Sequence, residues 1–223
     1  MKRFFTRKKK IAGPNWWQHY EGLDWHTPRR RTPVAELRYV VLDTEATGTD
    51  PRTDRLLSVS AIRIINGEMR IGEVLELLVQ QASFTDGASI PIHGIKPEDS
   101  SGGVTEADAI RQVVDFVGDA VIVGHHIGFD IRLLNEGLGR LGLGELHNAR
   151  LDTARLAVRA EHLFPNNYIQ PEQYTLDALC ARYNVRPRYR HTASGDAFIT
   201  GIIFLKLLAK LAARGATTWG KVR

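Results

Sequence analysis

The sequence predicts an α/β layered domain, a mixed sheet with helices covering it. Three observations carry this: three strand-like runs come first, a fourth apolar run follows a helical segment, and helical patterns fill the rest, giving the order βββαβααα. The 223 residues, 43% hydrophobic, suffice for one well-buried domain plus an appendage and are short for two. No internal repeat or low-complexity segment is present, which excludes solenoids.

Residues 1–36 show no sustained period, are broken by Pro14, Pro28 and Pro33, and hold Trp16, Trp17 and Trp25. They are expected to form an extension, with regular structure beginning near Leu37, a domain over 37–214 and a short tail over 215–223. Of the 30 Lys and Arg, nine fall in residues 1–36 against three acids, leaving 21 basic and 22 acidic residues from 37 onward. The basic excess is therefore N-terminal and says little about the domain. Lys8 to Lys10 and Arg29 to Arg31 could bind phosphate while Trp16 and Trp17 stack on bases. The preferred reading is a solvated basic tip followed by aromatic anchors that pack the extension down.

Tyr39 to Leu42 is a short apolar run ending in Asp43, a buried strand. Leu56 to Ile65 reads as a second strand, Asn66-Gly67 as a hairpin turn and Met69 to Val79 as a third. After a loop carrying Ile92-His93-Gly94-Ile95, Thr105-Glu106-Ala107-Asp108 opens a helix with the pattern of a capping box, and Ala109, Val113, Phe116 and Val117 form its apolar face. Ala120 to Val123 is a buried strand ended by Gly124, and Phe129 to Leu141 an amphipathic helix. Shorter helices are expected over Thr153 to Leu163 and Thr175 to Tyr183, and a mostly buried one over Ser194 to Ala213, capped by Ser194. Cys180, the lone cysteine, falls in the apolar pattern of its helix and is expected as a buried structural thiol. No secretory h-region follows the basic start, and the longest apolar stretch, Ala197 to Leu205, is far below a bilayer span. A soluble, cytoplasmic protein with no membrane partner is expected.

Chemistry concentrates in three places. Asp43 and Glu45 sit two apart at a strand end, and the period of two points both to one face. Two hard anionic ligands side by side suit Mg2+ or Mn2+ better than zinc. Thr47, Gly48 and Thr49 then turn the chain tightly. Asp130 lies in the first turn of the helix after a buried strand, where parallel strands expose their carboxyl ends to ligands. His191 and Asp196 bracket the start of the last long helix. Histidine titrates near neutrality and can accept a proton there. Four acids and one base fit two divalent ions about 3.5 to 4 Å apart acting on a scissile phosphate, so phosphodiester hydrolysis is the reaction indicated.

Asp43-Thr44-Glu45-Ala46-Thr47-Gly48, Gly124-His125-His126-Ile127-Gly128-Phe129-Asp130 and His191-Thr192-Ala193-Ser194-Gly195-Asp196 together resemble the three motifs of the DnaQ-like (DEDDh) 3'-to-5' exonucleases, the group of the DNA polymerase III epsilon proofreading subunit. The likeness runs over roughly Arg38 to Leu211. It implies a ribonuclease H-like fold with a central mixed five-stranded sheet flanked by helices, and makes 37–214 the exonuclease domain. It implies that Asp43, Glu45 and Asp196 bind a first Mg2+ (or Mn2+), that Asp43 bridges to a second, and that Asp130 supports the second through water. His191 becomes the general base; tyrosine-type relatives carry their base where Thr192 stands, so His191 sets the subtype. The resemblance also implies substrate contacts from Thr44, Ala46, Thr47, His93, Ile95, His125 and Phe129. Ala46 stands where many members have a second threonine, and His126 replaces the usual asparagine. Neither change removes a metal ligand.

The expected substrate is nucleic acid with a free 3' end, single-stranded DNA first, with release of nucleoside 5'-monophosphates in repair or proofreading. An RNA-trimming, oligoribonuclease-like enzyme is the runner-up, and a catalytically inactive nucleic-acid-binding domain the reading from another class. Loss of an acid would mark the inactive domain, and all are present. A DNA polymerase is the implied protein partner, a reading weakened by the short run after the last long helix.

Overall fold

The structure, a computed structural model, describes residues 12–81, 94–95, 100–161 and 170–223. Its five strands are β1 (Tyr39–Ala46), β2 (Leu56–Ile65), β3 (Glu68–Leu78), β4 (Val121–Gly124) and β5 (Arg150–Asp152). They lie in the order β3-β2-β1-β4-β5, antiparallel from β3 to β1 and parallel from β1 through β4 to β5. This is the mixed five-stranded sheet expected. Asn66 and Gly67 both take positive φ, 54° and 76°, and join Ile65 to Glu68 in a two-residue hairpin. The seven described helices are α1 (Asn15–Glu21), α2 (Glu106–Val117), α3 (Gly128–Arg140), α4 (Thr153–Glu161), α5 (Leu176–Arg182), α6 (Ala193–Ala213) and α7 (Trp219–Val222).

Strand parity divides the core. Val40, Leu42 and Ile122 face a cluster that includes α1, α2 and α3, whereas Tyr39, Val41, Val121 and Val123 face one built with α4, α5 and α6. Thr105 caps α2 by accepting the Asp108 N–H at 3.1 Å, as its sequence indicated. Cys180 is buried in the second cluster, as expected.

Three expectations need correction. The chain does not wait until Leu37 for regular structure: α1 forms within the extension, and Trp17 and Tyr20 are buried in the first cluster. Pro14 stands just before α1 as its N-cap, so the prolines delimit helix rather than forbid it. Trp17 stacks on Tyr20, whose hydroxyl donates to Asn148 at 2.8 Å and accepts from the His147 N–H at 2.7 Å. The extension thus fixes the approach to β5. The segment after 214 also packs, with Trp219 and Val222 buried in the second cluster. Finally, α6 is capped by Thr192, not Ser194. The Thr192 hydroxyl accepts the Gly195 N–H at 3.1 Å and donates to the Tyr189 carbonyl at 2.7 Å. A Cβ on Gly195 would stand 1.9 Å from that carbonyl, so the chain can approach only with glycine here. Lys8 to Lys10 and His93 lie outside the described residues. Among the described residues no helix is long and apolar enough to cross a membrane.

Candidate active site

The parallel strands β1, β4 and β5 end at one edge of the sheet, and the side chains beyond their apolar stretches meet there. Parity sorts them. Asp43 and Glu45 continue the register of Tyr39 and Val41 and so face α6, where Asp196 occupies the first turn. One ligand atom from each of Asp43, Glu45 and Asp196 lies within 4.8 Å of the others. Thr44, on the opposite parity, turns toward α3, and its hydroxyl donates to the Asp130 carboxylate at 2.7 Å. Asp130 therefore approaches the edge from the other side of the sheet.

The turn after β1 is braced from beneath. Thr47 is buried, and its hydroxyl donates to the Asp54 carboxylate at 3.0 Å and accepts from the Arg55 N–H at 3.0 Å. The other Asp54 oxygen accepts the Asp50 N–H at 2.8 Å. A Cβ on Gly48 would stand 2.6 Å from this carboxylate, so glycine is needed for the turn to close on it.

Between β4 and α3, His126 takes φ 56°, a left-handed conformation that asparagine and histidine tolerate better than most residues. Its N–H donates to Asp152 at 3.3 Å, a main-chain bond that does not depend on which side chain stands here. His125 Nδ1 lies 2.9 Å from the Thr153 hydroxyl, while its Nε2 is buried without a partner among the described residues. Burial, with His126 alongside, lowers the His125 pKa to about 4, which leaves the imidazole neutral at neutral pH. Phe129 is partly buried against the first cluster.

The loop before α6 brings His191. Tyr189 and His191 take φ 54° and 62° on either side of Arg190. The His191 N–H donates to Asp196 at 3.3 Å, and its side chain is exposed. Arg190 is ion-paired with Asp196 and, at 2.6 Å, with Asp177 of α5.

This frame concentrates negative charge. Burial first, then the neighbouring charges of Asp130, Asp196 and Glu45, holds the Asp43 carboxyl well above the ordinary range. Burial and the charges of Asp196 and Asp130 push Glu45 up to about 7. Burial raises Asp130 too, opposed by its bond from Thr44. Arg190 offsets only part of the repulsion on Asp43 and Glu45. Two buried hydroxyls adjoin the acids without a protein partner among the described residues: Ser60, the register partner of Asp43, and Thr200, one helical turn after Asp196. Hard oxygen donors, unbalanced anionic charge and orphaned hydroxyls fit a hydrated divalent cation.

The structure thus gathers Asp43, Glu45 and Asp196, sets Asp130 beside them and places His191 next to Asp196 in space through its backbone. Thr44 and Thr47 direct their hydroxyls to Asp130 and Asp54. Ala46 is buried, Ile95 partly buried, and Gly94 before it takes φ 71°. Sequence reasoning missed Arg190, Asp177, Asp54 and Asp152. Arg190 directly precedes His191, a signal available in the sequence, but its partner Asp177 belongs to a separate helix.

Residues 40–204 match the sequence model of a family described as Exonuclease, RNase_T. A DNA polymerase III subunit epsilon-like protein of Rhodobacter capsulatus is 35% identical over 86% of this chain, which spans 26% of that relative. The DNA polymerase III subunit epsilon of Rickettsia felis is 31% identical over 78% of this chain and 75% of its own length. A PolC-type DNA polymerase III of Halalkalibacterium halodurans is 27% identical over 79% of this chain, which covers 12% of it. This chain thus spans about a quarter or less of two of these relatives. Among solved structures, E. coli exonuclease I bound to a dT13 oligonucleotide superposes with a TM-score of 0.67 at 18% identity, covering 80% of this chain and 42% of that one. The zinc-bound complex of E. coli exonuclease I with single-stranded DNA gives 0.68 at 20% identity, covering 81% and 44%. At such identities the likeness concerns the fold, the ribonuclease H-like arrangement expected from the sequence.

Proposed function

The chain belongs to the exonuclease family whose model spans residues 40–204, and from that premise we propose that it is a cation-dependent 3'-to-5' exonuclease releasing nucleoside 5'-monophosphates from single-stranded DNA. The observation that carries this is the convergence of Asp43, Glu45 and Asp196 within 4.8 Å, with Asp130 beside them at the carboxyl edge of the sheet.

Asp43, Glu45 and Asp196 would hold one divalent cation, with Asp43 reaching a second that Asp130 supports through water; Mg2+ or Mn2+ suits these donors. Bound there, the cations supply Lewis acidity, polarising the phosphate and offsetting the charge of the departing 3'-oxygen. His191 takes the proton of the attacking water as its oxygen bonds to phosphorus and the bond to the 3'-oxygen breaks. Residues Thr44 and Ala46, with His93, Ile95, His125 and Phe129, contact the terminal nucleotide, whereas Thr47, expected among them, is buried with its hydroxyl held between Asp54 and the Arg55 N–H and braces the turn instead. DNA is preferred over RNA because the relatives include DNA polymerase III epsilon subunits and PolC-type DNA polymerases III. The same names support a DNA polymerase as protein partner, and a cytoplasmic location belongs to this reading.

The test is degradation of matched 5'-labelled DNA and RNA strands. With Mg2+ the DNA strand shortens stepwise from its 3' end, and chelator or a 3'-terminal phosphate stops the reaction. Full hydrolysis in chelator, or equal cleavage of circular single strands, would overturn the reading. Faster loss of the RNA strand would replace the substrate.

A further inference from the structure

A trough of about 850 Å³ runs along the outer edge of the sheet, lined by Ala149 to Asp152. Among the described residues β5 pairs only with β4, so its other edge opens into the trough, between Arg132 of α3 and Arg155 and Arg159 of α4. One end is formed by His126 to Phe129, at the turn of α3 that carries Asp130.

Five arginines line this one concavity: Arg132, Arg150, Arg155, Arg159 and Arg223. None has a side-chain carboxylate in ion-pair range among the described residues. Several other arginines of the domain are ion-paired, as Arg38 is with Asp119, Arg63 with Glu73, Arg140 with Glu106 and Arg182 with Glu161. Arg132 donates to the Gly128 carbonyl, a bond that neutralises no charge, whereas Arg159 donates to the Lys221 carbonyl and to the carboxylate of the last residue, Arg223, which offsets one of the five positive charges. Asp152 is the one acidic side chain among the described lining residues, and its Oδ1 already accepts the N–H groups of His126 and Ala154. Like charges around a cleft raise the local concentration of anions, and the guanidinium fork matches phosphate oxygens. An added peptide strand suits the trough less well, because β5 spans three residues, roughly 10 Å, and offers few backbone partners.

We propose that this arginine trough is a second nucleic-acid site, holding the phosphate backbone of the single strand upstream of the end that lies in the acid cluster. The proposal rests on the exonuclease reading for the direction of the strand. Its position follows from the trough itself, which begins beside Asp130 and leads away along β5.

The experiment uses the whole chain carrying Arg150→Glu and Arg155→Glu, two exposed side chains outside the acid cluster. Fluorescence anisotropy with labelled oligothymidylates of graded length, in chelator, measures binding without turnover. Steady-state rates on a dinucleotide and on long strands measure use of the site. The expected result is at least tenfold weaker binding of long strands and a slope of log K against log salt shallower by about 1 to 1.5, from two lost phosphate contacts. Dinucleotide turnover stays at the wild-type rate, which also reports an intact fold, and the double Lys variant recovers most of the affinity. Unchanged affinity and salt slope would overturn the proposal, as would equal weakening on the dinucleotide. So would a variant that loses binding of poly-glutamate while keeping that of oligothymidylate, since the trough would then take an acidic peptide. If the wild type degrades no strand of any length, the exonuclease reading fails by itself, and the anisotropy in chelator still decides the trough.

Discussion

The two faces of α3 border charge of opposite sign held in opposite ways. Toward the sheet edge, Asp130 is buried and tied to Thr44, and Asp196 is buried and tied to Arg190 and the His191 N–H. Along β5, the arginines stand exposed, and none is fixed by a side-chain carboxylate among the described residues. A charge fixed in a buried frame has strong, position-dependent effects, whereas one on a long solvated side chain acts weakly and additively. The first arrangement suits chemistry at a defined atom, the second attraction along a polymer.

The largest expected effect lies in the frame. Asp43→Ala should lower turnover by about 10^3-fold or more on strands of every length, with an unchanged circular-dichroism spectrum, because it removes a central donor and leaves the apolar core intact. A near wild-type rate in that variant would place the chemistry elsewhere. Next comes His191→Ala, expected to reduce turnover by about 10^2 to 10^4-fold while calorimetry shows cation affinity nearly unchanged. Loss of cation binding in that variant would make His191 a ligand.

Much of this frame was legible from residue types alone. The β1 run ending in Asp43, the Asn66-Gly67 turn and the Thr105 cap are local signals, and the three acidic motifs stand at element ends where ligands bind. Other parts were hidden for physical reasons. β5 is three residues long with a charge at either end, so no period develops. α1 is seven residues of mixed aromatic and polar character whose stability comes from burying Trp17 and Tyr20 against distant elements. Thr192 and Ser194 are both competent caps, and the approach of Gly195 to the Tyr189 carbonyl decides between them. The arginine trough is scattered over α3, β5, α4 and Arg223, so only folding assembles it.

The buried acids also respond to pH. The folded-state pKa values of Asp43, Glu45 and Asp130 are raised above the unfolded range near 4, so the stability linked to them is complete below about pH 4 and is lost as pH rises through about 7, the value for Glu45. In chelator, the melting temperature should therefore fall by several degrees between pH 5 and 8. Mg2+ should recover more at pH 8 than at pH 5, and Asp43→Asn should flatten the profile. An Asp43→Asn profile as steep as wild type would show that the acids do not drive it. The smallest effect belongs to the trough: Arg155→Glu alone should change stability by only about 0.5 kcal/mol in chemical denaturation. A change of several kcal/mol would mean that the arginine braces the fold.

One further contact joins remote parts of the chain. Pro33 bridges to Thr218, the Val34 N–H donates to the Thr217 carbonyl at 3.0 Å, and the N–H groups of Trp219 and Gly220 donate to the carbonyls of Thr32 and Arg30 at 2.8 Å each. In time as well as space, this clasp comes last. During synthesis residues 30 to 34 emerge early and have nothing to pair with until residues 217 to 220 follow, so the pocket filled by Trp219 stays open while the sheet assembles. A ribosome-bound chain arrested before residue 217 should accordingly hold a formed sheet with an unlatched edge, and emergence of residues 217 to 220 should be the step that confers resistance to protease near residue 30.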